Sequence, residues 1–151
     1  MAEREFGEFV ADVEPRLRQA LLPVAGTDGV RDAVAEALAY AWEHWDRVMV
    51  MENPAGYLYR VARTRLRPPS KKPVVLPVPE PGRLPDVEPR LPEALAQLSE
   101  RQRVAVFLVA GCDWPYGEVA ALMGISVSSV RNHLSRGLER LRTIMEVEAR
   151  A

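Results

Sequence analysis

The side chains best suited to chemistry in this sequence lie in one segment near its C-terminal end, "GISVSSVRNHLSRGLERLR", residues 124–142. At helical spacing its apolar side chains fall on one face, which leaves a polar face opposite. That polar face and its two flanks carry Ser128, Arg131, Asn132, His133, Ser135 and Arg136. Asn and Arg make paired hydrogen bonds to adenine and guanine edges in the major groove, and Ser reaches bases or phosphates. The segment is therefore suited to reading DNA.

The residues around this segment complete a helix-turn-helix pattern. A small Ala120 stands where two helices would cross closely, and Gly124 suits the tight turn that follows. Ser126 is a suitable N-cap for the second helix, and Val130 is placed to be buried between the helices. An ordinary helical hairpin rarely meets all these conditions together. The spacing predicts a DNA-binding motif, with a structural hairpin as the alternative.

A second basic segment, "NPAGYLYRVARTRLR", residues 53–67, interleaves arginines with tyrosines. A helix is predicted to begin here, with Asn53 as its N-cap and Pro54 at its first position. Aromatic rings stack on unpaired bases while guanidinium groups hold phosphates, so the segment suits an unstacked nucleic-acid strand. The alternative is a surface helix whose arginines serve solubility and whose tyrosines lie half in the core. The residues concerned are Tyr57, Tyr59, Arg60, Arg63, Arg65 and Arg67.

An acidic stripe accompanies the most regular helical pattern in the chain, which begins near Val30. Asp32, Glu36 and Glu43 lie within about 40° of one another on a helical wheel at about 100° per residue. Like charges one turn apart are mildly unfavourable, so the stripe suits a basic partner; a solvated face is the alternative. The opposite side of this helix predicts a core of Val30, Ala33, Val34, Ala37, Leu38, Ala41, Trp42 and Trp45.

A proline-rich stretch separates the helices that carry the acidic stripe and the second basic segment from the helices of the predicted helix-turn-helix. Of the 13 prolines, eight lie between Pro68 and Arg90, a stretch that can form neither helix nor central strand. As extended polyproline II it would reach up to about 70 Å. The prediction is all-α: a helical domain over residues 1–67, a linker over 68–90 and a second helical domain over 91–151.

Local signals set several boundaries within these domains. Pro15 is predicted to break the first helix, and Ser99 with Gln102 forms a capping-box signature. Within the predicted helix-turn-helix, two further side chains are predicted to face the core: Tyr116 on the first helix and Val127 on the second helix.

Composition excludes several classes of function. The chain has 151 residues, 48% of them hydrophobic, and a formal net charge of -1, which suits a globular protein. No apolar run approaches the roughly 18 residues that span a bilayer, so a cytoplasmic location without membrane insertion is expected.

Cys112 is the single cysteine, and with His44 and His133 it makes no plausible zinc set. No catalytic set or phosphate loop is present, so we expect no enzyme, no cofactor and no metal.

In three segments the chain resembles the extracytoplasmic-function (ECF) group of sigma-70 factors, which consist of regions 2 and 4 joined by a linker. The segment "RDAVAEALAYAWEHWDRV" is similar to the region 2 helix that binds the polymerase clamp. The segment "NPAGYLYRVARTRLR" is similar to the promoter-melting segment that follows. The stretch "LSERQRVAVFLVAGCDWPYGEVAALMGISVSSVRNHLSRGLERLR" is similar to region 4.

The resemblance implies a sigma factor that binds core RNA polymerase at the beta-prime clamp and beta flap, directs it to promoter DNA, and is held by an anti-sigma factor. The polymerase-binding residues would be Asp32, Glu36 and Glu43. The residues near the unwound minus-ten strand would be Tyr57, Tyr59, Arg60, Arg63 and Arg67. Those at the minus-35 element would be Ser128, Arg131, Asn132, Ser135 and Arg136.

One departure from the family pattern keeps other interpretations open. In the family the basic helix continues into a minus-ten recognition loop, whereas here Pro68 and Pro69 follow directly after Arg67. A degenerate sigma-like protein that binds polymerase without reading promoters is therefore one alternative. A stand-alone helix-turn-helix regulator that binds operators as a dimer is another.

Overall fold

The computed structural model describes residues 2–25, 27–66 and 90–150, and in these ranges the protein is helical, without strands. This confirms the all-α prediction. The helices are α1 (Ala2–Leu21), α2 (Thr27–Glu43), α3 (Trp45–Val48), α4 (Pro54–Arg65), α5 (Leu91–Ala96), α6 (Glu100–Ala105), α7 (Tyr116–Met123) and α8 (Val127–Arg150). A π-helical segment, Val106–Gly111, prolongs α6. None of the described helices is both long and apolar enough to cross a membrane.

Helix α1 continues through Pro15, so the break predicted there does not occur. A proline inside a helix costs about 3 kcal/mol. Burial on both sides of it outweighs that cost, because Val13 precedes it and Leu17 and Leu21 follow it in one core, each at most 3% exposed. Full burial of one such side chain contributes about 1.5–3 kcal/mol.

Helices α1, α2 and α4 pack on one another around the N-terminal part of the core. The predicted start of α4 is confirmed, since the Asn53 side chain accepts a hydrogen bond from Gly56 N at 3.1 Å. The predicted burial of Trp42 is wrong, because its ring lies near the C-terminal end of α2 and is 46% exposed. Phe6 of α1 covers part of that ring, with the two centroids 4.9 Å apart.

The C-terminal half is built around α6 and α8. The predicted capping box is confirmed, since Ser99 Oγ accepts from Gln102 N at 3.2 Å and Gln102 Oε1 accepts from Ser99 N at 3.3 Å. Gly137 of α8 lies against α6 and its π-helical continuation, where an added Cβ would stand 2.7 Å from Val106 Cγ2. A glycine here permits the close crossing of the two helices.

The two halves are packed against each other, and their buried residues form one continuous core. The main contact between them is made by α4 and α7. The predicted linker, apart from Arg90, and the C-terminal residue of the first predicted domain, Arg67, lie outside the described residues. The domain boundaries at 67/68 and 90/91 therefore stay predictions.

Candidate nucleic-acid interface

The structure forms the predicted helix-turn-helix from α7 and α8. Gly124 ends α7 in the left-handed region, at φ +69°, a conformation that glycine adopts without strain. Ile125 N donates to Ala120 O at 3.1 Å across this turn. Ser126 Oγ accepts from Ser129 N at 3.1 Å and so caps α8 as predicted. Val130 is fully buried between the helices.

One face of α8 is open to solvent over its first three turns. The apolar side of α8, at Val130 and Leu134, is buried. Val127 was predicted to be buried as well, but it is 39% exposed. Val127 is the first residue of the helix, and its side chain lies at the edge of the core. The predicted minus-35 residues are all exposed on this helix: Ser128, Arg131, Asn132, Ser135 and Arg136.

Sequence reasoning missed the contribution of Tyr116 to this face. Its ring, predicted to face inward, is 37% exposed at the first residue of α7. The Arg131 guanidinium lies over that ring, 5.4 Å from its centroid. Such a cation–π contact contributes about 0.5–1 kcal/mol at an exposed position. Tyr116 therefore restrains Arg131 at one edge of the polar face.

The flank of α8 at His133 is electropositive. Partial burial, followed by the nearby charges of Arg101 and Arg136, lowers the pKa of His133 below its ordinary value. Arg101 belongs to α6 and was not singled out by the helical pattern of α8. It extends the positive surface beyond α8, which suits a polyanionic strand.

We expect replacement of Arg136 by alanine to relax sequence preference at one base position by about 1–3 kcal/mol if Arg136 makes the predicted paired contact to guanine. The measurement is binding of purified protein to a set of promoter duplexes that differ at single positions, at fixed salt. Arg142→Ala is the control, since Arg142 is exposed further along α8. We expect Arg142 to contact phosphate or solvent and no base. An equal loss on every duplex for Arg136→Ala would assign it to phosphate instead.

Only part of the second basic segment, residues 53–67, is exposed to solvent in the structure. Tyr59 is 5% exposed, so its ring is covered in this structure. Its assignment to an unwound strand stays a prediction. Burial, with the nearby Glu100 carboxylate as a smaller cause, raises the pKa of Tyr59 to about 12. Tyr57 is half-buried, and its hydroxyl lies 3.0 Å from that of Tyr40. Of the two predicted stacking tyrosines, Tyr57 is the accessible one.

Two of the three arginines of α4, Arg63 and Arg65, lie near carboxylates of other helices. Arg63 Nε donates to Glu100 Oε2 at 2.9 Å, and a second guanidinium nitrogen donates to the same oxygen. Arg60 lies beside the turn of the helix-turn-helix, where its Nη1 would be 3.2 Å from a Cβ added at Gly124. Arg65 Nε is 4.0 Å from Glu36 Oε2. Arg67 lies outside the described residues.

The acidic stripe of α2 is on the surface. Asp32, Glu36 and Glu43 are all exposed. The distance from Glu36 to Arg65 is at the limit of an ion pair, so this contact leaves the Glu36 carboxylate available to an external cation. The described residues hold no cluster of His, Cys, Asp or Glu that could bind a metal.

The helix-turn-helix region matches a known family, and the fold matches solved structures. Residues 89–141 match the family described as Sigma-70, region 4. The sigma factor RpoE, solved in complex with the anti-sigma factor NepR from Bartonella quintana, has a TM-score of 0.67 at 23% identity, covering 95% of this chain and 98% of that one. CnrH, solved in complex with the cytosolic domain of CnrY, has a TM-score of 0.65 at 22% identity, covering 96% and 90%. No curated protein matches the sequence.

Proposed function

We propose that this chain is a sigma factor of the ECF type that directs RNA polymerase to promoters. Its residues 89–141 match the sigma-70 region 4 family, and its fold is similar to that of the sigma factor RpoE. The main support for the proposal is the exposed polar face of α8, which belongs to the helix-turn-helix within the residues that match region 4. Its Arg and Asn side chains are those that read guanine and adenine in the major groove. This face is assigned to the minus-35 element.

Core polymerase is the proposed partner of the N-terminal half. The acidic stripe of Asp32, Glu36 and Glu43 is exposed and offers negative charge to a basic surface of the beta-prime clamp, while region 4 is assigned to the beta flap. Such attachment accounts for a promoter-binding protein whose net charge is -1. The chain alone would hold DNA weakly and in a salt-sensitive manner, and the polymerase would supply the remaining positive surface.

An anti-sigma factor is the second proposed protein partner. RpoE was solved with the anti-sigma factor NepR, and CnrH with the cytosolic domain of CnrY. The likeness of fold over nearly the whole chain supports a partner of the same kind here. A non-enzymatic role and a cytoplasmic location follow from the same assignment.

One observation favours a second candidate function, a sigma-like protein that binds polymerase without reading the minus-ten element. Two of the side chains assigned to that element have partners within the chain, since Tyr59 is 5% exposed and Arg63 is hydrogen-bonded to Glu100 at the surface. Such a protein would retain the acidic stripe and the region 4 fold.

The experiment that tests the proposal combines the purified chain with core RNA polymerase and measures co-elution and promoter-specific transcription. Co-elution together with transcription from a defined start supports the sigma factor. Co-elution without transcription from any promoter of a genomic library supports the second candidate. Failure to co-elute contradicts both and leaves a stand-alone helix-turn-helix regulator.

A further inference from the structure

The polar face of α8 carries one arginine at each of its two edges. On a helical wheel at about 100° per residue, the centre of this face is formed by Ser128, Asn132 and Ser135. Arg131 lies about 60° to one side of Ser128, and Arg136 lies about 80° to the other side. The two guanidinium groups therefore flank the same face from opposite directions.

The surroundings of these two arginines differ. The Arg131 guanidinium lies over the Tyr116 ring, 5.4 Å from its centroid. Within the part of the chain that the structure describes, Arg136 has neither a ring nor a carboxylate as a partner. Its charge lowers the pKa of the nearby His133, after the larger effects of partial burial and Arg101, so that neighbour does not attract it. Arg131 is therefore restrained, whereas Arg136 is free to change rotamer.

The backbone that carries the Tyr116 ring is anchored on both sides. Trp114 is 8% exposed, and its backbone N–H donates to Leu108 O at 2.9 Å. Pro115 follows at φ −61°, a torsion that its ring fixes, and its carbonyl oxygen accepts from Val119 N at 3.2 Å. The first residue of α7 is thus held between a buried tryptophan and the first turn of the helix. This segment presents the Tyr116 ring to Arg131 from a fixed position.

The contact with the ring leaves Arg131 able to bind a base. An aromatic ring attracts the positive charge of the guanidinium, whereas the N–H donors of that group lie in its plane and point away from its edges. Guanine accepts two such donors, at O6 and N7. Arg131 is exposed, and among the described residues no carboxylate occupies its donors. It can therefore touch the Tyr116 ring and a base edge together.

Restraint of an arginine before binding affects how well it discriminates between bases. A mobile side chain loses rotamer freedom when it forms a paired contact, and a side chain that is already held loses less. A mobile arginine also adapts to a wrong base or to a neighbouring phosphate, which reduces the difference between sequences. Support from a fixed ring therefore favours the one base that matches the geometry of the pair.

We propose that Tyr116 is a positioning residue for base readout, which acts through Arg131 and makes one position of the minus-35 element more selective. The inference rests on the proposed function, because it concerns how the face assigned to that element reads bases. Tyr116 contacts Arg131 and no base. Arg136 reads its own position without such support.

Two substitutions at Tyr116 test this role on the full chain. Tyr116→Leu removes the ring and keeps an apolar side chain, whereas Tyr116→Phe keeps the ring and removes the hydroxyl. Each variant is mixed with a pool of DNA duplexes whose central segment is randomised, and sequencing of the bound fraction gives the relative affinity for every base at every position. Arg131→Ala and Arg136→Ala, measured in the same way, identify the positions that these two side chains read. Circular dichroism checks that the helices are retained.

We expect Tyr116→Leu to reduce the base preference at the Arg131 position by about 2- to 5-fold, which is the size of an exposed cation–π contact. The preference at the Arg136 position should not change. Tyr116→Phe should retain the wild-type preference, because a phenyl ring also attracts a cation. Tyr116→Leu should have no further effect when Arg131 is already alanine, but its full effect when Arg136 is alanine.

Several results would overturn the proposal. An unchanged preference in Tyr116→Leu would show that the ring does not position Arg131, and an equal loss at every position would show that it only supports the fold. The same loss in Tyr116→Phe would mean that the hydroxyl contacts DNA directly. A wild-type chain without base preference, or an Arg131→Ala variant that alters no position, would show that Arg131 reads no base.

Co-elution with core polymerase is measured separately. A chain that shows the expected effect of Tyr116 on base preference but ignores polymerase would contradict the proposed function and leave the positioning role standing. A chain that co-elutes with polymerase but shows no effect of Tyr116→Leu would leave the proposed function standing and contradict the positioning role.

Discussion

Replacement of Asp32 and Glu36 together by lysine is expected to weaken binding to core RNA polymerase by about 30- to 1,000-fold. Each exposed charge at an interface contributes about 0.5–1 kcal/mol, and reversal replaces that attraction by a repulsion of similar size. Two reversals therefore cost about 2–4 kcal/mol of binding free energy. The measurement is titration of labelled polymerase with the variant at fixed ionic strength, repeated at higher salt, where the difference should shrink.

The fold should survive this double reversal. Both side chains are exposed, and the one internal contact involved, between Glu36 and Arg65, is 4.0 Å long. Asp12→Lys/Glu93→Lys is the matched control, since it makes the same change in net charge at exposed positions of α1 and α5. Equal binding by the two variants would identify the stripe as a solvated face and would contradict the assignment of α2 to the polymerase.

Replacement of Gly137 by valine is expected to lower the free energy of unfolding by about 3 kcal/mol or more and to abolish binding to promoter DNA. A single added Cβ would lie 2.7 Å from Val106 Cγ2 and 3.3 Å from Gln102 O, which is a backbone atom. The two further methyl groups of valine have to fit into the same crossing, so the loss falls at the upper end of the overpacking range. Thermal unfolding followed by circular dichroism measures the change.

The control for this prediction is the same substitution at Gly7. Nothing lies within 4 Å of a Cβ added there, in the exposed part of α1. Glycine and valine differ by only about 0.5 kcal/mol in helix propensity, so Gly7→Val should change the stability by no more than that. Because valine is the better helix former, helix propensity cannot account for a loss in either variant. A similar loss from both variants would mean that the close crossing of α6 and α8 is not the reason for the effect at Gly137.

Residues that act within one helical turn were predictable from the sequence. The caps at Asn53, Ser99 and Ser126 form as predicted, because each depends on a backbone N–H only three residues away. The turn at Gly124 also forms as predicted, since the left-handed conformation there favours glycine over other residues. The helix-turn-helix and its exposed polar face were therefore identifiable from spacing alone.

Predictions failed where an aromatic ring or a proline depends on a distant element. Tyr116 and Trp42 were placed in the core by their helical position, yet each lies near a helix end, where the neighbouring helix covers only part of the ring. Pro15 is tolerated because the core formed with α2 and α4 retains the helix on both sides of it. Periodicity records which face is apolar but not how far the covering helices extend.

The sequence by itself determined that this protein has an all-α fold, a helix-turn-helix with an exposed polar face and an acidic stripe on a separate helix. These depend on residue type and helical spacing, which are local properties of the chain. Only the tertiary structure decided which basic side chains are accessible. Arg63 and Glu100 are separated by 37 residues, and their pairing follows from the packing of α4 against the C-terminal half. No periodic pattern contains that contact, because it joins two helices whose relative placement is set by the shared core.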